Sequence, residues 1–249
     1  MRVLPITSYN PNHTAFTHHP DFEKLAQTEP IKASCFFRRD GITSSDSFLD
    51  IIKVFKTMFE GEIKTPKKML IVGVADSQEP FSYLTAISQI RKDKPIEELL
   101  DLYIVDLQSA PNKNKLHKDS YAIEELIPNY ARGGFIKSMR PSSYFYSVRV
   151  RDDLFKFLKN TYNNPEKSKW ESRIQEVIKD YPDNYFDIVS MNNVIFYLPN
   201  RDKSPTMENI YRTIKKGGLY ITEGDLYVNK STFASDMERI NYGIFKKIK

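Results

Sequence analysis

Residues 68–82, with the sequence KMLIVGVADSQEPFS, place acidic side chains directly after a short apolar run. The run over 69–74 predicts a buried strand, and a helical pattern begins after a polar turn that contains Asp76. Pro80 suits the first turn of that helix, where its missing N–H costs nothing. A strand, a tight turn and a helix N-terminus together favour an anionic or carboxylate-bearing ligand. The turn carries the single glycine Gly73, not the three of a dinucleotide fingerprint.

A second apolar run, over 102–105, ends in Asp106. An acidic residue at the carboxyl end of the second strand binds the ribose of a nucleotide in doubly wound folds. It lies further along the chain than the ~20 residues of the usual fingerprint. Asp106 is therefore either a ribose ligand or an ordinary cap of the strand end.

Two asparagines, Asn192 and Asn193, follow a third apolar run over 186–191. Side-chain amides at a strand end can present donors and acceptors to a ligand crevice. Asparagine also tolerates left-handed backbone, so a turn is the alternative. Arg38 and Arg39 precede the first predicted helix, in a segment that either folds over the crevice or leaves both arginines in solvent.

Strand-like runs alternate with helical patterns along the whole chain. This order predicts an α/β fold with a doubly wound, mostly parallel sheet and an antiparallel strand near the C-terminus. Residues 1–34 read as an irregular arm, and residues 109–150 as an excursion that covers or flanks the site. We also predict a helix over 168–180, and a later helix stopped by the Gly217–Gly218 pair.

The composition describes an ordinary globular protein of 249 residues, 40% hydrophobic and 28% charged. The 37 basic and 32 acidic residues give a net charge of +5, which does not favour nucleic-acid binding. One cysteine excludes an internal disulfide, and no apolar run approaches the ~20 residues of a membrane span. His13, His18 and His19 lie close together in the sequence and could bind a metal, but no cysteine or tight acidic spacing supports this, so surface histidines and no metal site are expected. With no signal-peptide pattern, the expected location is cytoplasmic.

Taken together, these landmarks resemble the CheR-type S-adenosylmethionine-dependent methyltransferases, the chemotaxis-receptor glutamate methyltransferase family. The resemblance covers roughly residues 35–249, without that family's long helical N-terminal domain. The segments that carry it are Phe36-Phe37-Arg38, Glu79-Pro80-Phe81-Ser82, Val105-Asp106, Phe186-Asp187 through Asn193, and Gly217-Gly218-Leu219.

The resemblance implies S-adenosylmethionine as the cofactor and a Rossmann-like class I methyltransferase sheet. Arg38 would neutralise the methionine carboxylate of the cofactor, a charge-assisted contact. The turn from Gly73 to Asp76 would pass close to the methionine portion, and Glu79 would bind its ammonium group.

By the same resemblance, Asp106 would bind the ribose hydroxyls, and Asn164 and Asn193 the adenine edge and nearby backbone. Asn192 is counted with them as a cofactor-binding residue, and Tyr197 would lie near the transferred methyl group. The implied reaction is O-methylation of a carboxylate on a protein or a small molecule. A carboxylate is already a nucleophile at pH 7, so alignment and exclusion of water would supply most of the rate enhancement.

Two alternatives remain open at the level of sequence. Ser77 and Asn192 differ from the family's pattern, which is compatible with a catalytically degenerate protein that binds the cofactor or a partner. The basic charge and the aromatic residues are compatible with an RNA methyltransferase. The sequence determines neither the methyl acceptor nor the oligomeric state.

Overall fold

A computed structural model of the protein describes residues 53–74, 78–108, 152–192, 194–222, 226–241 and 243–249. The arm predicted over 1–34 and the excursion predicted over 109–150 lie outside these residues. None of the helices in the described ranges is long and apolar enough to cross a membrane.

The described residues contain one seven-stranded sheet with the strand order β3-β2-β1-β4-β5-β7-β6. The strands are β1 Lys67–Val72, β2 Leu100–Val105, β3 Ser168–Lys169, β4 Phe186–Met191, β5 Ile214–Thr222, β6 Met237–Asn241 and β7 Ile244–Lys247. The first five are parallel to one another, and β7 pairs antiparallel with both β5 and β6.

Helices connect the strands and cover both faces of the sheet. They are α1 over 53–59, α2 Gln78–Ile90, α3 Ile96–Leu99, α4 Asp152–Tyr162, α5 Ile174–Val177, α6 Asn200–Thr213 and α7 Leu226–Asn229. Short 3-10 turns cover Ile178–Asp180, Ile195–Tyr197 and Ala234–Asp236.

Alternate residues of the strands point into two separate hydrophobic cores. On one face, Met69 and Ile71 of β1 pack with residues of α1, α2, α3 and α4. On the other face, Leu70 and Val72 pack with residues of α5, α6 and α7. The period-two alternation of a strand buried on both sides explains why its sequence reads as a continuous apolar run.

Strand β1 lies between β2 and β4. The chain adds β2 and β3 on one side of β1, and then crosses over to add β4 and β5 on the other side. This is the topological switch point of a doubly wound fold, and ligands bind outside the carboxyl ends of the strands there. The predicted fold class, a mostly parallel doubly wound sheet with antiparallel C-terminal pairing, is confirmed.

The helix predicted over 168–180 is wrong in its first half. Ser168 and Lys169 form β3, which pairs parallel with the end of β2. Glu171 then adopts a φ of 53°, a left-handed conformation that no helix continues through. Helical structure begins only at Ile174, because tertiary pairing with β2 overrides the local pattern of apolar residues.

The glycine pair does not lie between a helix and a strand as predicted. Helix α6 ends at Thr213, and β5 begins at once with Ile214, so that Gly217 and Gly218 lie inside the strand. The register between β4 and β5 shifts at this point. A side chain on Gly218 would lie 2.9 Å from the carbonyl oxygen of Asp187, so the close approach of the two strands requires glycine.

Candidate functional site

The carboxylate of Glu79 lies in a buried polar cluster beside the carboxyl ends of β1 and β4. The residue is 8% exposed, and its Oε1 accepts three hydrogen bonds. The donors are Tyr83 Oη at 3.0 Å, Ser190 Oγ at 2.5 Å and Asn192 Nδ2 at 2.6 Å. Within the described ranges no lysine, arginine or histidine forms an ion pair with this carboxylate.

The residues of this cluster share a face of a helix and a face of a strand because of their spacing in the sequence. Glu79 and Tyr83 are four residues apart in α2, on one face of the helix. Ser190 and Asn192 are two residues apart, so their side chains emerge on the same face of β4 and its extension. Glu79 also stands in the first turn of α2, where the helix dipole stabilises a negative charge.

The NH2 group of the Asn192 amide donates hydrogen bonds within the Glu79 cluster, whereas the amide oxygen accepts none from the cluster. Nδ2 donates to Glu79 and also to Ser190 Oγ at 2.8 Å. Oδ1 is buried and accepts no hydrogen bond from the described residues, and Asn192 as a whole is 4% exposed. A buried carbonyl oxygen without a donor costs about 1–3 kcal/mol, which a ligand that supplies a donor would recover.

Gly73 makes the turn after β1, with a φ of +74°. Its N–H donates to the carbonyl oxygen of Val105 at 2.8 Å, so the turn stays attached to β2. A Cβ on Gly73 would lie 2.5 Å from Cγ2 of Val194, which follows β4. The ends of β1 and β4 therefore approach each other so closely that only glycine fits between them.

Asp106 is 6% exposed and fixes this turn from the side of β2. Its Oδ2 accepts the backbone N–H of Val74 at 2.7 Å, and its Oδ1 accepts that of Gln108 at 2.8 Å. The structure thus places Asp106 at the carboxyl end of β2, where its carboxylate holds the backbone of two loops.

Exposed apolar side chains surround the same edge of the sheet. Tyr197 is 72% exposed at the end of a 3-10 turn after β4, and Phe196 beside it is 56% exposed. Leu107 after β2 and Leu226 after β5 are 68% and 53% exposed. The ring of Phe196 makes an edge contact with that of Tyr227 in α7.

Among the described residues, no hydrogen bond joins Asn164 to the Glu79 cluster. Asn164 lies before the amino end of β3, where its Oδ1 accepts the N–H of Glu166 at 2.9 Å and its carbonyl oxygen accepts that of Ser168 at 2.8 Å. Three further predicted site residues, Arg38, Asp76 and Asn193, lie outside the described residues. In the described part of the chain, no three His, Cys, Asp or Glu side chains are grouped so as to hold a metal ion.

Sequence reasoning missed Tyr83 and Ser190, the two hydroxyl groups that hold Glu79 in place. Both are almost fully buried, at 2% and 0% exposed. The signal for each was its spacing from a predicted residue, four positions from Glu79 in the helix and two positions from Asn192 in the strand.

Shifted tyrosine pKa values occur at the other end of the sheet, before β4. Burial, together with the nearby Tyr185 and Asp180, raises the pKa of Tyr181 to about 12. Burial, together with hydrogen bonds between its hydroxyl group and Tyr185 and Asp101, raises the pKa of Tyr103 as well. These rings pack against one another and against Phe186, so they stabilise the sheet and do not contact the Glu79 cluster.

Comparison with known proteins gives one family match. The family described as "Methyltransferase domain" matches residues 132–222, less than half of the chain. None of the curated proteins compared with the chain matches it.

Several solved structures resemble the chain at low sequence identity. One is a S-adenosyl-L-methionine-dependent methyltransferase, so far described as putative, from Methanococcus maripaludis, with 11% identity, a TM-score of 0.33, and coverage of 91% of this chain and 70% of that one. MNMC2 from Aquifex aeolicus has 12% identity, a TM-score of 0.40, and coverage of 88% and 61%. A phosphoethanolamine N-methyltransferase from Haemonchus contortus, in complex with S-adenosylhomocysteine, has 16% identity, a TM-score of 0.30, and coverage of 70% and 27%. The chain spans less than two thirds of the second and third of these proteins, and at such TM-scores no argument rests on the superpositions.

The strand order and the matched domain agree with one fold. The chain has the Rossmann-like class I fold of the S-adenosylmethionine-dependent methyltransferases, with the antiparallel C-terminal strands of that fold. S-adenosylmethionine is the cofactor of this class.

Proposed function

We propose that the protein binds S-adenosylmethionine at the carboxyl ends of β1, β2 and β4, and methylates a carboxylate oxygen of its acceptor, as the CheR-type enzymes do. The observation that carries this proposal is the Glu79 carboxylate, buried at the switch point with three donors and no cationic partner among the described residues. A buried carboxylate is costly unless a positive group pairs with it. The ammonium group of the methionine portion would supply that positive charge.

The neighbouring residues fit the rest of the cofactor. Gly73 makes the turn at the end of β1, and this turn would lie beside the methionine portion. Asp106, buried at the carboxyl end of β2, would bind the ribose hydroxyls. Arg38 would bind the methionine carboxylate, and Asn193 the adenine.

When bound, the cofactor would supply a methyl group on a sulfonium sulfur: the acceptor oxygen would bond to the methyl carbon in line as the S–C bond breaks, and the thioether S-adenosylhomocysteine would leave. The described side chains at this edge include no histidine or cysteine to serve as a base. A carboxylate acceptor, with an ordinary pKa near 4, is deprotonated at pH 7 and needs none. Tyr197 would then align the acceptor and help exclude water, which is how the protein would accelerate the transfer.

The exposed apolar side chains support an acceptor with an apolar body beside its carboxylate. Leu107, Phe196, Tyr197 and Leu226 come from the ends of three different strands and surround one edge of the sheet. Burying about 100 Å² of apolar surface there would stabilise the complex by about 2–3 kcal/mol. We therefore propose an apolar carboxylic acid, or a protein segment with an acidic residue among apolar ones, as the acceptor.

The first experiment is calorimetric titration of the full chain with S-adenosylhomocysteine. We expect micromolar binding, and at least tenfold weaker binding for Glu79→Gln, which removes the charge and keeps the size. Glu60→Gln is the matched control, because Glu60 is exposed just after α1. Absence of binding to the unmodified protein would overturn the proposal for the cofactor.

The second experiment tests the acceptor class with a radiolabelled methyl donor. A methyl ester releases methanol in alkali, whereas methyl groups on nitrogen do not leave. Alkali-labile label transferred to apolar carboxylates or acidic peptides is the expected result. Cofactor binding without transfer to any acceptor would favour the catalytically degenerate alternative, and alkali-stable label would exclude carboxylate methylation.

A further inference from the structure

The side chain of Lys203 lies beside the exposed apolar side chains that follow β4 and β5. Its Nζ is 5.6 Å from the centre of the Tyr227 ring, within the range of a cation–π contact. The same ring makes the edge contact with Phe196, at 5.7 Å between the ring centres. One aromatic ring therefore joins the charge of Lys203 to the apolar surface at which we propose that the acceptor binds.

The ammonium group of Lys203 has no anionic partner among the described residues. It forms neither an ion pair nor a hydrogen bond there, whereas the nearby Arg201 pairs with Asp202 at 3.8 Å. The residue is half-buried, and a lysine ammonium group carries three N–H donors. The contact with Tyr227 thus keeps a positive charge with free donors beside the apolar surface.

The position of Lys203 in its helix does not account for this charge. Helix α6 begins at Asn200, so Lys203 lies in the first turn, where the helix dipole disfavours a positive charge. The residues three and four positions further along the helix, Thr206 and Met207, carry no charge with which it could pair. The charge of Lys203 therefore does not stabilise α6.

We propose that Lys203 binds a second anionic group of the methyl acceptor, and that the acceptor is a small apolar molecule with two such groups. One carboxylate would be methylated near Tyr197, the apolar body would lie on Phe196 and Tyr227, and the second anion would pair with Lys203. A stable protein partner buries about 800 Å² on each side, whereas the few side chains named suit a small molecule. This inference rests on the proposed function, because it narrows the acceptor class of the same site.

The test compares two probes that differ only in the second charge. Biphenyl-4,4′-dicarboxylate carries two carboxylates, and in its monoamide one of them is replaced by an uncharged amide of the same shape. Each probe is titrated by calorimetry into the full chain saturated with S-adenosylhomocysteine, and the measured quantity is the ratio of the two dissociation constants. A general disturbance of the surface weakens both probes and leaves the ratio unchanged, so the ratio reports on the second anion alone.

In the unmodified protein we expect the dicarboxylate to bind about fivefold more tightly than the monoamide, as a partly exposed ion pair allows. In Lys203→Met, which keeps the length of the side chain and removes the charge, this preference disappears. Lys203→Arg keeps the charge and retains the preference. The control is Lys64→Met, because Lys64 is exposed before β1, at the opposite edge of the sheet. It leaves the ratio unchanged.

The outcomes separate this inference from the proposed function. If the unmodified protein does not bind S-adenosylhomocysteine, the proposed function fails, and this inference with it. If S-adenosylhomocysteine binds but the dicarboxylate does not bind, shows no preference, or keeps its preference in Lys203→Met, this inference alone is overturned. A peptide of alternating phenylalanine and glutamate that binds more tightly than the dicarboxylate would indicate a protein acceptor and overturn it as well.

Discussion

Asp106 and Val74 join the ends of two neighbouring strands, because Oδ2 of Asp106 accepts the backbone N–H of Val74 at 2.7 Å. The other oxygen accepts the N–H of Gln108 at 2.8 Å. One buried carboxylate thus fixes the loop after β1 and the loop after β2 at the switch point. The residue expected to bind ribose also shapes the crevice in which ribose would lie.

Replacing Asp106 with asparagine tests this arrangement. The amide keeps one acceptor oxygen and directs an NH2 group at a backbone donor, so we expect the free energy of unfolding to fall by about 1–3 kcal/mol. Urea denaturation measures this change, and calorimetry should show at least tenfold weaker binding of S-adenosylhomocysteine. Glu97→Gln, at an exposed position in α3, removes a charge without either effect. Unchanged stability in Asp106→Asn would contradict the bonding to Val74 and Gln108.

The close approach of Gly73 to Val194 predicts a strong effect of a single methyl group. In Gly73→Ala the new Cβ would meet Val194 Cγ2 at 2.5 Å, on a backbone with φ of +74°. The left-handed conformation alone costs about 1–2 kcal/mol for a residue with a Cβ, and the clash adds to it. We expect reduced stability in thermal unfolding and loss of ligand binding.

Two further variants test whether the clash with Val194 is the cause of the stability lost in Gly73→Ala. Gly61→Ala should change stability by no more than about 0.5 kcal/mol, because nothing lies within 4 Å of its added Cβ. Adding Val194→Ala to Gly73→Ala removes the clashing methyl group and should restore part of the lost stability. A double variant no more stable than Gly73→Ala would show that the clash is not the cause.

Arg91 connects the ends of α1 and α2 through four hydrogen bonds. It donates to the carbonyl oxygens of Phe59 and Gly61 at 3.0 and 2.9 Å, and to both carboxylate oxygens of Asp93 at 2.8 and 2.7 Å. Arg91→Lys keeps the charge but not the planar fork, so we expect a lower midpoint of urea unfolding. A midpoint equal to that of the unmodified protein would show that the fork adds no stability.

The same pair gives a dependence of stability on pH. The hydrogen bond from Arg91 lowers the pKa of Asp93 to about 2, from an ordinary value of 3.8. Because the folded-state pKa is the lower one, the stabilisation is present above about pH 4 and is lost as the pH falls towards 2. The difference in urea midpoint between the unmodified protein and Asp93→Asn should therefore disappear over that range. A constant difference from pH 7 to pH 2 would contradict the assignment.

Substitutions at Tyr197 test its proposed role in methyl transfer separately from folding and cofactor binding. Since its side chain is 72% exposed, Tyr197→Ala should change the free energy of unfolding by no more than about 0.5 kcal/mol. We expect the binding of S-adenosylhomocysteine to stay within twofold and the rate of methyl transfer to fall at least tenfold. Tyr197→Phe distinguishes the ring from the hydroxyl: if alignment by the ring matters, the rate is largely retained. A rate unchanged in the alanine variant would remove Tyr197 from the reaction.

The sequence by itself determined the elements whose pattern is purely local. The strand over 186–191 needed only its apolar run bounded by polar residues, and it forms Phe186–Met191 as predicted. Pro80 lies in the first turn of α2 because its fixed φ and missing N–H suit that position in any helix. The acidic and amide residues at strand ends could be assigned to one crevice because parallel strands bring their carboxyl ends to the same edge.

The tertiary structure decided everything that depends on contacts between distant residues. Ser168 and Lys169 form a strand because β2 offers them an edge, which their own sequence does not specify. Ser190 meets Glu79 across 111 positions of the chain, and Asn192 meets it across 113. Periodicity shows which face a side chain occupies, but not which helix packs on that face. The orientation of the Asn192 amide follows only when the Glu79 carboxylate is in place.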